Sequence, residues 1–180
     1  LNTKYYDFSL IYADKKLESI YFTSSRPGAA GNSTDEIYGE SFSDIYRSER
    51  DNKGKWSSPQ PLGETVNSAA NEGAAYLDSK YSQLYFTRCG YDKNKPFGCQ
   101  IYTSRAQGRD WADPELLDFG IDDTTAAGHP IAIDDDLILF ASDIYGGQGG
   151  KDLWYIKYEK KTKLWGPAVN LGPDINTPGN

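Results

Sequence analysis

Three short landmarks recur in the same order along the 180 residues. They constrain the fold more than any other feature, because self-similarity at a fixed spacing marks a repeated supersecondary unit. An apolar run appears as SIYFTSS (19–25), QLYFTRC (83–89) and LILFASD (137–143). A second strand-like run follows as SDIYRSE (43–49), CQIYTSR (99–105) and KDLWYIK (151–157). A tryptophan with a proline close behind it then appears as KWSSP, DWADP and LWGP, placing Trp56, Trp111 and Trp165 at spacings of 55 and 54. A fourth landmark precedes the apolar run as NEGAAYLD (71–78) and AAGHPIAID (126–134), with Gly73 and Gly128 again 55 apart. The first unit reads YYDFSLIYADK there and is degenerate.

Each unit therefore holds four short extended segments separated by turn chemistry, and no stretch carries helical periodicity long enough for a helix. In the third unit these segments are 131–133, 137–142, 152–159 and 165–170. An antiparallel four-stranded sheet repeated every 40 to 50 residues or so is the signature of a β-propeller blade, and the period here lies slightly beyond it. The predicted fold is all-β, a propeller with three blades at approximately 1–68, 69–124 and 125–180. LYF and LILF are continuously apolar, which predicts a strand covered on both faces, as an inner blade strand is by its neighbours. The three tryptophans read as inter-blade core. Fourteen Tyr and seven Phe against no Met, with Gly and Pro scattered throughout, agree with an all-β chain rich in turns.

The formal charge of −7 gives a surface that repels phosphates, so no nucleic-acid partner is expected. No apolar run approaches the roughly 20 residues of a membrane-spanning helix, so no direct membrane insertion is expected of this segment. The chain opens on Leu1 and contains no methionine, and it reads as an internal piece of a longer protein. Three blades are too few for a ring, since propellers use about four to eight. Remaining blades or a second copy are therefore expected to cover the end blades, and the closing NLGPDINTPGN reads as a crossover toward another blade.

Few residues suggest chemistry. Cys89 and Cys99 flank CGYDKNKPFGC at the two ends of a predicted hairpin, one leaving a strand and one entering the next. A disulfide, a metal pair and two free thiols are the readings. Zinc normally needs two more Cys or His ligands, and the one histidine is His129, so a disulfide and an oxidising compartment are expected. GGQGGKD (146–152) is no phosphate loop, because Asp152 stands where Ser or Thr is needed and a strand follows where a helix is required. It reads as a hairpin turn whose glycines supply positive φ. The acidic stretches IDDD (133–136) and GIDDTT (120–125) carry oxygen ligands of the kind calcium takes, but neither matches an EF-hand loop, and Asp also serves turns. No metal and no cofactor are expected. His129 in AGHP has no nucleophile motif beside it and reads as a loop histidine. No catalytic residue is assigned, and the chain is expected not to be an enzyme. Arg26, Arg88 and Tyr91, in turns after the apolar runs, form a candidate interaction surface.

The fragments YFTSSRPG, SDIYRSER, GGQGGKDLWYIK and NLGPDINTPGN resemble the PD40 or TolB-type propeller repeat. The W..P.NLG..IN version is similar to propellers of multidomain OmpA-family periplasmic proteins of Bacteroidota, some of them associated with type IX secretion. Unit one departs from the pattern by its insertion GNSTDEIYGESF. Unit two lacks the Gly-rich turn and has Gln100 where the others have Asp44 and Asp152. The resemblance implies a non-catalytic interaction or scaffold module in a periplasmic, envelope-associated protein, with protein partners and a link to secretion or peptidoglycan. Glycan-binding or glycan-cleaving propellers and the gating propeller of a serine peptidase are the alternatives.

Overall fold

The computed structural model describes residues 1–28, 30, 42–90 and 98–179. The first unit forms β1 (Asp7–Tyr12), β2 (Ser19–Ser24), β3 (Asp44–Glu49) and β4 (Gln60–Pro61). The second forms β5 (Asn71–Leu77), β6 (Gln83–Cys89), β7 (Cys99–Gln107), β8 (Asp110–Trp111) and β9 (Glu115–Leu116). The third forms β10 (Ala127–Asp134), β11 (Leu137–Ser142), β12 (Asp152–Glu159), β13 (Leu164–Trp165) and β14 (Val169–Asn170). Each unit makes one antiparallel sheet in sequential order, and the outer position of the second and third sheets is split into two short strands. No helix occurs among the described residues, so none there is long and apolar enough to cross a membrane. These are blades of a β-propeller, with β1, β5 and β10 as the inner strands.

The blades stack through apolar cores. Between the first two, Tyr21, Ile45, Leu62 and Val66 meet Ala75, Leu77, Leu84, Phe86 and Trp111. Between the second and third, Tyr85, Ile101, Leu117 and Phe119 meet Ala127, Ala132, Ile138, Phe140, Trp154 and Ile156. Side chains alternate across a strand, so Leu84 and Phe86 face backward to blade one while Tyr85 faces forward to blade three. LYF is therefore covered on both faces. LILF is not: Ile138 and Phe140 are buried, whereas Leu137, Leu139 and Ala141 are only half-buried on the forward face of the last sheet. The tryptophans are less uniform than expected. Trp111 is buried between blades, while Trp56 and Trp165 are partly buried against their cores.

Each inner strand carries a bulge at a residue with positive φ: Ser9 at 51°, Ala74 at 49° and His129 at 54°. At the second and third bulges the strand meets the blade before it. Ala74 N–H donates to Thr23 Oγ1 at 3.0 Å and His129 N–H to Thr87 Oγ1 at 2.9 Å. The preceding glycine permits this approach, since a Cβ on Gly73 would lie 2.8 Å from Thr23 Cγ2, and one on Gly128 2.9 Å from Thr87 Cγ2. His129 is thus a strand residue rather than a loop residue, and the Gly73 and Gly128 spacing marks a contact between blades. At the matching positions of the two ends stand Phe8, in place of the glycine, and Ala141, in place of the threonine.

The Asn repeated in the crossover phrase has a mechanical role within two blades. Asn67, 1% exposed, accepts from Ile45 N–H at 3.0 Å and donates to the carbonyls of Ile45 and Leu62, each at 3.0 Å. Its amide extends the sheet ladder as a backbone would. Asn176 repeats this on Leu153 N–H at 2.8 Å and Leu153 O at 3.0 Å. In the second blade Asp122 takes the place of the asparagine and instead caps the N–H groups of Thr124 and Thr125, each at 2.8 Å.

Candidate functional site

The beginnings of the inner strands surround a cavity of about 210 Å³. Phe8 from β1, Glu72 to Ala74 from β5, Gly128 and His129 from β10, and the pair Cys89 and Cys99 line it, with Lys151 at the third blade. Cys89 and Cys99 end β6 and begin β7 directly opposite each other, and the structure bonds them with an S–S distance of 2.00 Å. Most of the wall is apolar. Its charged members are Lys151 and Glu72, and the Glu72 side chain is 0% exposed. Burial pushes the Glu72 carboxyl above its ordinary pKa, while hydrogen bonds from Ser68 and the nearby Arg88 pull the other way. A volume of this size lies under the roughly 300 to 1,000 Å³ of small-molecule pockets. It has room for about one apolar side chain.

Arg26 and Arg88 come from different register positions yet reach equivalent places. Arg88 Nε donates to Glu72 Oε1 at 2.7 Å and its guanidinium lies over Phe86 and Tyr102, 5.4 and 4.7 Å from the ring centroids. Arg26 bonds Asp7 at 2.7 Å and lies over Phe22 and Tyr46 at 4.9 and 5.1 Å. Both aromatic pairs are stacked with centroids 6.0 Å apart. The arginine side chains are 12% and 19% exposed, so little of either faces solvent, and Arg88 also donates to the Val66 carbonyl of the first unit at 2.9 Å. Burial opposes ionisation of Asp7, but hydrogen bonds from Ser24, Arg26 and Thr3 bring its pKa down to about 2. Tyr91 and residues 31–41 of the unit-one insertion lie outside the described residues, while its last residue, Phe42, is buried.

Asp44 and Asp152 share one repeat position and one peculiarity: each has a buried Oδ1 with no hydrogen-bond partner among the described residues. Asp44 Oδ2 accepts from Ala30 N–H at 2.6 Å, and Asp152 Oδ2 accepts from Gln148 N–H and from Asn170 Nδ2 at 3.0 Å. Asp152 thus holds the turn ahead of its strand, and Asp44 holds the backbone at Ala30. In that turn of blade three Gly146 does take positive φ, at 93°, but Gly149 is needed for space, because a Cβ there would fall 2.0 Å from the Gly179 carbonyl. The acidic clusters are likewise engaged. Asp135 pairs with Lys80 at 2.6 Å and Asp136 with Lys160 at 2.7 Å, and among the described residues no three acids, cysteines or histidines gather as a metal site. The asparagine clamps and threonine latches escaped the sequence reading, although the repeated VN and IN of the crossover phrase and the paired glycines were their visible trace.

No protein-family model matches the chain, and no curated protein matches it either. Among solved structures it is similar to a puromycin-hydrolysing peptidase of Mycobacterium tuberculosis, with a TM-score of 0.58 and 10% identity. That match covers 94% of this chain and 22% of the peptidase. An α-L-arabinofuranosidase from Lactobacillus brevis aligns over 94% of this chain and 50% of its own, with 15% identity and a TM-score of 0.43. The chain thus spans about a fifth of the peptidase and half of the arabinofuranosidase. The peptidase likeness shows the fold, an all-β propeller. It also overturns the expectation that the chain is not an enzyme, because the structure sharing its fold across nearly all its length is a hydrolase. Propeller architecture gives no ground for excluding catalysis, and that expectation is withdrawn.

Proposed function

We propose that the chain is the blade array of a larger propeller in a periplasmic, envelope-associated protein, where it acts as a recognition module for a protein partner. The observation that carries this reading is the forward face of the third blade. Leu139 and Leu153 stand where Tyr85 and Ile101 of the second blade are buried against the next sheet, and Leu153 is 46% exposed. Ile131, Leu139, Tyr155 and Val169 lie directly opposite one another in register across four strands of that sheet. Such a continuous apolar face asks for cover, and further blades or a second copy supply it. The resemblance to the PD40 or TolB repeat and to OmpA-family envelope proteins supports the location, as does the Cys89–Cys99 bond, which requires an oxidising compartment. A 210 Å³ apolar cavity beside that bond fits an anchor side chain of the partner.

The test is a pull-down with the parent protein from envelope extract, repeated with residues 1–180 deleted and with His129→Glu at the cavity. The reading expects the deletion to lose a partner that the parent recovers, and the charge at the cavity to weaken its recovery. Identical recovery from all three proteins would sink it.

A further inference from the structure

A second cavity, of about 550 Å³, opens between the outer strands of blades one and two. Arg47 and Glu49 of β3 and Ser57 form one wall; Arg109, Asp110 and Trp111, at the turn into β8, form the other. The volume falls within the range of small-molecule sites, roughly 300 to 1,000 Å³. Arg47 donates to Glu49, so the pair presents donors and acceptors side by side with no net charge. The Nε of Arg47 is buried and has no hydrogen-bond partner among the described residues. A buried donor without an acceptor is costly, so an Arg47 guanidinium that turns toward an oxygen in the cavity recovers a lost hydrogen bond. Trp111 adds an apolar floor: it is 7% exposed, and its indole N–H is occupied by Tyr21 Oη at 3.3 Å.

Blade construction does not require these side chains. At the matching positions of the next boundary the chain has Thr103 for Arg47, Arg105 for Glu49, Lys163 for Arg109 and Leu164 for Asp110. The two cations and two anions at the first boundary balance, which disfavours a polyanion. A singly charged ligand would leave this balanced set with a net charge. A hydroxyl group does not, and it donates to the carboxylate while its oxygen accepts from the guanidinium. We propose that this cleft binds a neutral, hydroxyl-rich ligand of the saccharide class, with Arg47 and Glu49 sharing ring hydroxyls and only the exposed edge of Trp111 bordering the ligand. This inference rests on the propeller fold and not on the envelope reading, so either can fail alone.

Saturation-transfer NMR on the 180-residue chain tests it, with a panel of methyl pyranosides (gluco, galacto, manno, fuco, xylo and N-acetylglucosamine) and diglycine as a zwitterionic arm. Transfer from at least one pyranoside is expected, together with a shift of the Trp111 indole resonance on titration. Arg47→Met and Glu49→Gln are each expected to weaken that binding about tenfold, while Arg105→Gln at the next boundary leaves it unchanged. Glu49 is 62% exposed, so Glu49→Gln tests the site even where Arg47→Met disturbs folding. No transfer from any pyranoside, undiminished binding in Glu49→Gln, or tighter binding of diglycine than of every sugar would overturn the proposal.

Discussion

Gly128 lies so close to Thr87 that a methyl group added to the glycine would meet Thr87 Cγ2 at 2.9 Å and Oγ1 at 3.0 Å. The neighbouring His129 N–H donates to the same hydroxyl at 2.9 Å. Blades two and three are therefore joined by a backbone hydrogen bond that needs a missing side chain on one strand and a hydroxyl on the other. Gly128→Ala should lower stability by about 1 to 3 kcal/mol through overpacking. Thr87→Ser keeps the hydroxyl and removes Cγ2, so in that background the cost of Gly128→Ala should shrink. Urea unfolding of the four proteins of this cycle measures the coupling, and equal costs in both backgrounds would dissociate the glycine from the threonine.

Asn67→Leu should cost about 3 kcal/mol, because it leaves Ile45 N–H and the Leu62 carbonyl without the Asn67 amide in a buried position and takes one of two donors from the Ile45 carbonyl, which keeps Leu62 N–H. Asn67→Asp should be no better, since a carboxylate accepts from Ile45 N–H but donates to neither carbonyl. Thermal unfolding ranks the two variants, and a neutral Asn67→Asp would mean that the donor half of the clamp contributes nothing.

The Cys89–Cys99 bond closes a loop with a sequence separation of 10, for which the chain-entropy model gives about 2 to 3 kcal/mol. The double variant Cys89→Ala, Cys99→Ala should lose that much stability, and wild-type protein should lose it on addition of a reductant. Alkylation of the native, unreduced protein should label neither cysteine. Full labelling of both would end the disulfide assignment.

Asp44 gives the fold a stability that depends on acid. Burial raises its carboxyl to about 6; Ala30 N–H opposes the shift and the charge of Glu72 adds to it. The native chain thus holds this proton more tightly than the unfolded chain, so stability present at low pH is lost as pH rises from the unfolded value of 3.8 through about 6. Asp44→Asn should remove that component. Its advantage over wild type should grow across this window, whereas a constant difference from pH 4 to pH 7 would argue against the shift. Asp7 acts in the opposite sense, with a pKa of about 2, contributing stability that is lost as pH falls through that value.

The blades themselves were legible because Trp, Gly and the apolar runs keep their spacing, and binary pattern and turn chemistry act locally. The contacts between blades were harder to read. Arg26 and Arg88 occupy different repeat positions and look unrelated in sequence, yet each covers a stacked Phe–Tyr pair beside a carboxylate, because a turn lets Arg26 fold back. Nothing local identifies Thr87 as the acceptor for a strand that begins 40 residues later. The cleft at Arg47 was invisible for a similar reason: Arg47 and Trp111 lie in different repeat landmarks, SDIYRSE and DWADP, and come together only when two outer strands pack.

The exchange of glycine for Phe8 at one end and of threonine for Ala141 at the other makes the modules non-interchangeable. A duplicate of blade two inserted after itself would find its own Gly73 facing Thr87 and fit, whereas a duplicate of blade one in that place would drive Phe8 into Thr87. The order of the modules is therefore written in the size of one side chain per strand, and recombination among them is allowed in some orders and refused in others.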